Sequence, residues 1–319
     1  MAKQKRKKLY CDEVADSNTR LITKFGKIIT ADEVYPIIAD DYALQAIANG
    51  IPYEQAEQMV RSKMSTTENM LDMVGITAVN NWYWGGRQVY RFDSELAELL
   101  RSQTKEDVIV DTSALDLLPV QHFYISLDDD TRYGFFVSLS GNVLYISDMR
   151  KDHTEAYVLP LPDDSTSISD IIANTNSSMG ISVSKKDAAE LSKRMAVYMQ
   201  FIVYLSAINA EITPVTNGAV ITRQAGQKPI TRHDKTQISD VGYRLGETIR
   251  AARKEKANVR YIGEHAQGTA KAPHIRRSHF HSYWTGSGED KSLIVKWVNT
   301  IFVHGGAADI STVHDVSDK

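Results

Sequence analysis

A single cysteine, Cys11, excludes an intrachain disulfide and a cysteine-ligated zinc site within one chain, and it fits a reducing compartment. No run approaches the roughly 20 apolar residues that cross a bilayer. The most apolar stretch, Met195 to Ile208, is interrupted by Gln200 and Ser206 and reads as a buried helix. The basic start (Lys3, Lys5, Arg6, Lys7, Lys8) is not followed by an apolar core, so no secretory signal is expected and the cytoplasm is the expected location. A Walker loop, a zincin motif and a nucleophile elbow are all missing. Gly242-Tyr243-Arg244-Leu245-Gly246 lacks the rest of a dinucleotide fingerprint, and its glycines read as sites of close helix packing. No internal repeat is present.

What remains is an ordinary globular composition, 42% apolar and 24% charged over 319 residues, with the charge unevenly placed. The net charge is −3, yet residues 222–296 hold fifteen Lys and Arg against seven Asp and Glu. That excess calls for an acidic partner, whether RNA, a carboxylate-rich protein face or the acidic remainder of the same chain.

The patterning predicts an α+β fold: an antiparallel sheet packed on a long buried helix, behind a mainly helical N-terminal region. Four parts are expected: a basic mobile tail over 1–30, a helical region over 31–105, an α+β core over 106–304, and a flexible tail over 305–319. Helices are predicted over Ala31 to Asn49, Tyr53 to Lys63 and Thr66 to Val79, with Gly50-Ile51-Pro52 as a breaker. Asp93 reads as the N-cap of a helix from Ser94 to Ser102. From Asp107 the period changes to two. His122 to Leu127, Tyr133 to Leu139 and Val143 to Ser147 form a predicted meander, and Ala156 to Leu161 adds an edge strand. Ser184 and Asp187 open the long helix, which spaces Leu191, Met195, Tyr198, Ile202 and Leu205 on one face. Another helix is predicted from about Asp240 to Lys256, and strand from Leu293 to Val303.

The stretch from Lys271 to Gly288 concentrates chemistry: His274, His279 and His281, Arg276 and Arg277, Phe280, Tyr283 and Trp284. As a strand it would place His279, His281 and Tyr283 on one face and Phe280 and Trp284 on the other. Three readings stand side by side. One is a strand with a core face and a polar face. A second is a metal site using His279, His281 and His274, although zinc needs about four ligands and no acid lies within the run. The third is a binding surface, in which forked guanidinium donors meet phosphate while rings stack on bases, or the same side chains form a protein contact. Arg244 and Arg250 would widen such a surface. Trp82 and Trp84 read as one core residue and one groove residue. Asp148, His153 and Glu155 are close enough in sequence for acid–base work, but chance explains their spacing better.

The run Pro273-His274-Ile275-Arg276-Arg277-Ser278-His279-Phe280-His281-Ser282-Tyr283-Trp284-Thr285-Gly286-Ser287-Gly288 resembles the C-terminal pattern of the second type V-A anti-CRISPR family. Ser278 and Ser282 stand where that pattern has glycines, and Phe280 where it has tryptophan. Gly242, Arg244, Leu245, Gly246, Arg250 and the strand Ile294-Val295-Lys296-Trp297 also match. The resemblance implies an inhibitor carried by a mobile element, plasmid or phage. It would recognise the N-terminal part of a nascent effector polypeptide, a host defence nuclease, and lower that effector's mRNA. It implies no catalytic residue, metal or cofactor and no membrane, with ribosome or mRNA as further partners. A ribonuclease or RNA-binding accessory protein using the His/Arg segment is the alternative.

Overall fold

Gln88 to Phe92, whose strand formers are Val89, Tyr90 and Phe92, lie between Gly85-Gly86 and Asp93, and this short strand organises the sheet. The structure is a computed structural model describing residues 9–64, 67–102, 109–110, 112–127, 132–162, 166–178, 183–215, 236–251, 274–276, 279–286, 291–298 and 301–303. Arg277 and the tail expected over 305–319 lie outside these residues.

Five helices come first: α1 (Tyr10–Ser17), α2 (Thr19–Phe25), α3 (Ala31–Ala48), α4 (Tyr53–Met64) and α5 (Thr67–Trp84). β1 (Gln88–Phe92) and α6 (Ser94–Ser102) follow. β2 (Ile109–Val110) pairs with the later β7 (Thr166–Ser167) as a separate ribbon. β3 (His122–Ser126), β4 (Arg132–Ser140), β5 (Val143–Arg150) and β6 (Thr154–Pro160) form the antiparallel meander. Next come α7 (Ile168–Ser178), α8 (Lys185–Ser206), β8 (Ile212–Pro214) and β9 (Gln237–Val241). Residues 243–251 are helical and are called α9. β10 (His274–Arg276), β11 (His279–Thr285), β12 (Ser292–Val298) and β13 (Ile301–Val303) complete the chain.

The main sheet has seven strands in the order β6-β5-β4-β3-β1-β9-β8. β1 runs parallel to both β3 and β9, so the sheet is mixed at its centre. The alternation of β residues divides the core in two. Tyr90, Phe92, Phe123, Ile125, Phe135, Val137 and Ile146 face α8, where Phe201 lies edge-on to Phe92 at 5.1 Å. Val89, Tyr124, Phe136, Tyr145 and Ala156 face α5 and α1, with Trp82 edge-on to Phe136 at 5.3 Å. Helix α8 begins where its sequence announces it, with Ser184 Oγ accepting the amide of Asp187 at 3.2 Å.

Three expectations need correction. Within the stretch expected to be a mobile tail, residues 10–25 form two helices and Cys11 is fully buried. Burial pushes the Cys11 thiol well above its ordinary pKa, which leaves it unreactive. Asp240 and Val241 end a strand and do not start a helix. Helix α5 runs past Val79 to Trp84, because the polar pair inside it has partners elsewhere. Asn81 Nδ2 donates to Ile29 O at 2.8 Å and to Ser138 Oγ at 3.0 Å, and Asn81 Oδ1 accepts Ile29 N at 2.9 Å. Asn80 Nδ2 donates to Lys27 O at 2.9 Å. These amides fasten the α2–α3 connection to the sheet. Asn81→Leu is expected to destabilise by about 1–3 kcal/mol, measured by urea unfolding, because it leaves buried backbone groups of Ile29 unpaired.

Candidate recognition surface

β11 and β12 form an antiparallel hairpin in which Phe280 faces Trp297, His281 faces Lys296 and Trp284 faces Leu293. The period of two sorts the strands. Leu293, Val295 and Trp297 are buried against the end of α8. Ile208 N donates to Val295 O at 2.8 Å. Asn209 grips the backbone of Trp297 from both sides, its Nδ2 donating to Trp297 O at 2.7 Å and its Oδ1 accepting Trp297 N at 2.8 Å. Phe280 tilts against the Trp297 ring at 4.6 Å.

Through these contacts β12 and Phe280 hold the hairpin down, and the rest of β11 stays in solvent. His279, His281 and Tyr283 share the outer face, as the alternation predicts, and all three are exposed. The His281 and Tyr283 rings lie 5.6 Å apart. Trp284 keeps 58% of its surface exposed, next to Tyr283 at 37%. His274 and Arg276 lie on β10, paired with β13 in a different two-stranded sheet. Among the described residues no group of three or more His, Cys, Asp or Glu is placed to hold a metal ion.

The other arginines and tryptophans named from the sequence are anchored in the fold. Both Oδ atoms of Asp93 accept Arg250 Nη1, at 3.1 and 3.0 Å, while Asp93 Oδ1 caps α6 by accepting Glu95 N at 2.9 Å. Glu211 caps α9. Its carboxylate accepts the amides of Arg244 and Leu245 at 3.0 and 3.1 Å and Arg244 Nε at 2.9 Å. Partial burial alone would raise the Glu211 pKa, but those donors outweigh it and hold the carboxyl below its usual range. Gly242 and Gly246 let α9 approach α6: a Cβ at Gly242 would lie 2.1 Å from Leu96 Cδ2. Of the two tryptophans, Trp82 is the core residue and does not belong to a binding surface. It has no exposed surface, and its Nε1 donates to Gln88 O at 2.8 Å. Trp84 is 43% exposed, with Nε1 donating to Ile22 O at 3.1 Å.

Asp148, His153 and Glu155, which sequence spacing offered only as a coincidence, are gathered at the β5–β6 end of the sheet. Asp148 is fully buried and accepts Arg150 Nε at 2.9 Å and the Tyr198 hydroxyl at 2.5 Å. Glu155 accepts Arg194 Nη1 at 2.6 Å and the Tyr157 hydroxyl, with His153 Nε2 at 3.2 Å. Burial works against ionising Glu155, but Tyr157, Arg194 and Arg150 prevail and hold its pKa at about 2. Burial raises Tyr157 to about 12, with the Glu155 bond adding to the effect. Neither group is poised for proton transfer at neutral pH, so this network fastens α8 to the sheet edge. Beside it a cleft of about 820 Å³ opens between β5 and β6, α1, α2, α3 and α5. The sequence gives no warning of this cleft, because its walls come from seven elements, α8 included through Arg194, spread over 185 residues, Tyr10 to Arg194.

Among the described residues no helix is long and apolar enough to cross a membrane. A family model described as AcrVA2-like, the anti-CRISPR type V subtype A2 family, matches residues 90–305, from β1 through the hairpin. Among solved structures, one titled "Crystal structure of AcrVA2" is similar to this chain with a TM-score of 0.46 and 15% sequence identity, over 93% of this chain and 100% of that one. No curated protein matches.

Proposed function

Because the chain belongs to the type V subtype A2 anti-CRISPR family, we propose that it recognises the N-terminal part of a nascent type V-A effector polypeptide and lowers the effector's mRNA during translation. The observation that carries this reading is the solvent-facing β11. Its histidines and aromatics are the residues of the family-like run, and His281, Tyr283 and Trp284 stand out from a hairpin that the fold holds by its other strand. In this reading the hairpin's outer face meets the translating ribosome or its mRNA, where phosphates dominate affinity. The first 89 residues, outside the family match, carry the choice of target. The protein then acts in the bacterial cytoplasm, encoded on a plasmid or phage, and needs no cofactor.

The test is effector transcript abundance in cells making the protein. Transcript is expected to fall when the effector's N-terminal codons are translated. It is expected to stay level when a frameshift changes the peptide and leaves the RNA almost intact. Tyr283→Ala combined with Trp284→Ala is expected to abolish the fall while changing stability by about 0.5 kcal/mol or less, as exposed substitutions do. An equal fall with the frameshifted transcript would defeat the nascent-peptide reading. Cleavage of naked RNA by the purified protein, lost in His279→Ala, would put a ribonuclease in its place.

A further inference from the structure

On one side the main sheet ends at β6, and among the described residues no strand pairs with the outer edge of β6. The register tells which backbone groups face outward. Arg150 N donates to His153 O at 2.9 Å and Leu161 N to Asn142 O at 2.6 Å. Between them the pairing runs unbroken from Val143↔Pro160 to Met149↔Thr154. Antiparallel ladders alternate, so the odd-numbered residues 153 to 161 bond toward β5, and Thr154, Ala156 and Val158 present their N–H and C=O groups to the outside. Such a row is a template for another strand, and sheets commonly blunt it with lysine, a bulge or proline. β6 carries none of these before Pro160.

The 820 Å³ cleft passes around this edge. Ser147, Met149 and Ala156, from the α5 face of the sheet, line it together with Glu155, Tyr157 and Arg194 from the α8 face. The space touches both faces of the edge strand, along residues 154–157 at the start of β6. A second observation points to an occupant. Ser147 is fully buried, its Oγ has no hydrogen-bond partner, and it lines the cleft. The opposite wall supplies apolar contacts from Val14, Leu21 and Met73.

We infer that this cleft accepts an extended peptide as an added strand on β6. The peptide backbone pairs with Thr154, Ala156 and Val158. Its side chains alternate between the two faces, one set entering the apolar space beside Ala156 and reaching Ser147 Oγ, the other lying against Tyr157 and Arg194. Backbone pairing supplies affinity, and the pocket under the sheet supplies selectivity. This site rests on the peptide-recognition reading above and gives it an address.

Two probes separate the site from its natural partner: a display library of short random peptides, and overlapping peptides tiling the N-terminal part of a type V-A effector. The central variant combines Thr154→Pro with Val158→Pro. It deletes two outward N–H groups and none that bond to β5, and proline is tolerated at such edge positions. Captured peptides are expected to bind it about tenfold more weakly or worse. Hydrogen exchange of residues 154–158 is expected to slow when peptide is bound. Ser147→Ala, which leaves the backbone alone, is expected to weaken binding as well, and it decides the matter should the double variant fail to fold. Unchanged affinity in these variants, or no peptide captured by the wild-type chain, overturns the inference. Library peptides held on β6 while the effector tiles are ignored would keep the strand site and remove the effector as partner.

Discussion

Gly246→Ala is expected to destabilise the protein, although alanine is about 1 kcal/mol better than glycine inside a helix. A Cβ at this position would fall 1.9 Å from Asp93 Oδ1 and 2.3 Å from Asp93 Cγ. Asp93 has little room to retreat. The residue is 4% exposed, its carboxylate caps α6 through Glu95 N, and it holds Arg250. Moving it therefore disturbs two helix contacts together. The expected loss is about 1–3 kcal/mol for overpacking, with about 1 kcal/mol more if the cap is given up. Urea unfolding of the two proteins measures it. Gly242→Ala meets a softer neighbour, the Leu96 side chain, although its φ of +74° adds backbone strain. Stabilisation by Gly246→Ala would mean that α6 and α9 do not approach as closely as described.

The second large effect is acid sensitivity centred on His122. Its side chain lies on β3, 8% exposed, with Nδ1 3.0 Å from Ser138 Oγ. Burial pushes its pKa from 6.5 down to about 4. A depressed pKa on a base means that the folded state holds the neutral ring while the unfolded chain takes up the proton first. Stability is therefore complete above about pH 6.5 and falls as the pH drops toward 4, by about 3 kcal/mol in all. Glu155 does not contribute over most of this window. Its pKa is lowered from 4.5 to about 2, so its contribution is present above 4.5 and is lost only as pH falls from there toward 2. His122→Asn is expected to flatten the slope between pH 6.5 and 4 in urea unfolding. An unchanged slope would assign the acid sensitivity to other groups.

Elements set by near neighbours in sequence were legible. Asp93 announces α6, Ser184 announces α8, and the alternation from His122 onward gives the meander. The outer face of β11 was readable for the same reason, since a period of two needs no knowledge of partners. Elements set by distant partners were not. β1 has only five residues, and its neighbours β3 and β9 are both parallel and far along the chain. Asp240 looks like a helix start until Arg91, 149 residues earlier, is found bonded to it at 2.7 Å. Arg250 and Arg244 add to a basic patch when charges are counted. In the fold, Asp93 and Glu211 engage them. Composition records how much charge there is and nothing of where its counterpart lies.

The parallel pairing of β1 with β9 also fixes an order of events on the ribosome. Residues 88–92 leave the exit tunnel long before residues 237–241, and until the later strand arrives one flank of β1 stays bare. A chain cut short before β9 would carry that open flank permanently. Such a fragment would be prone to self-association, which makes the sheet of this protein sensitive to premature stops far downstream of its central strand.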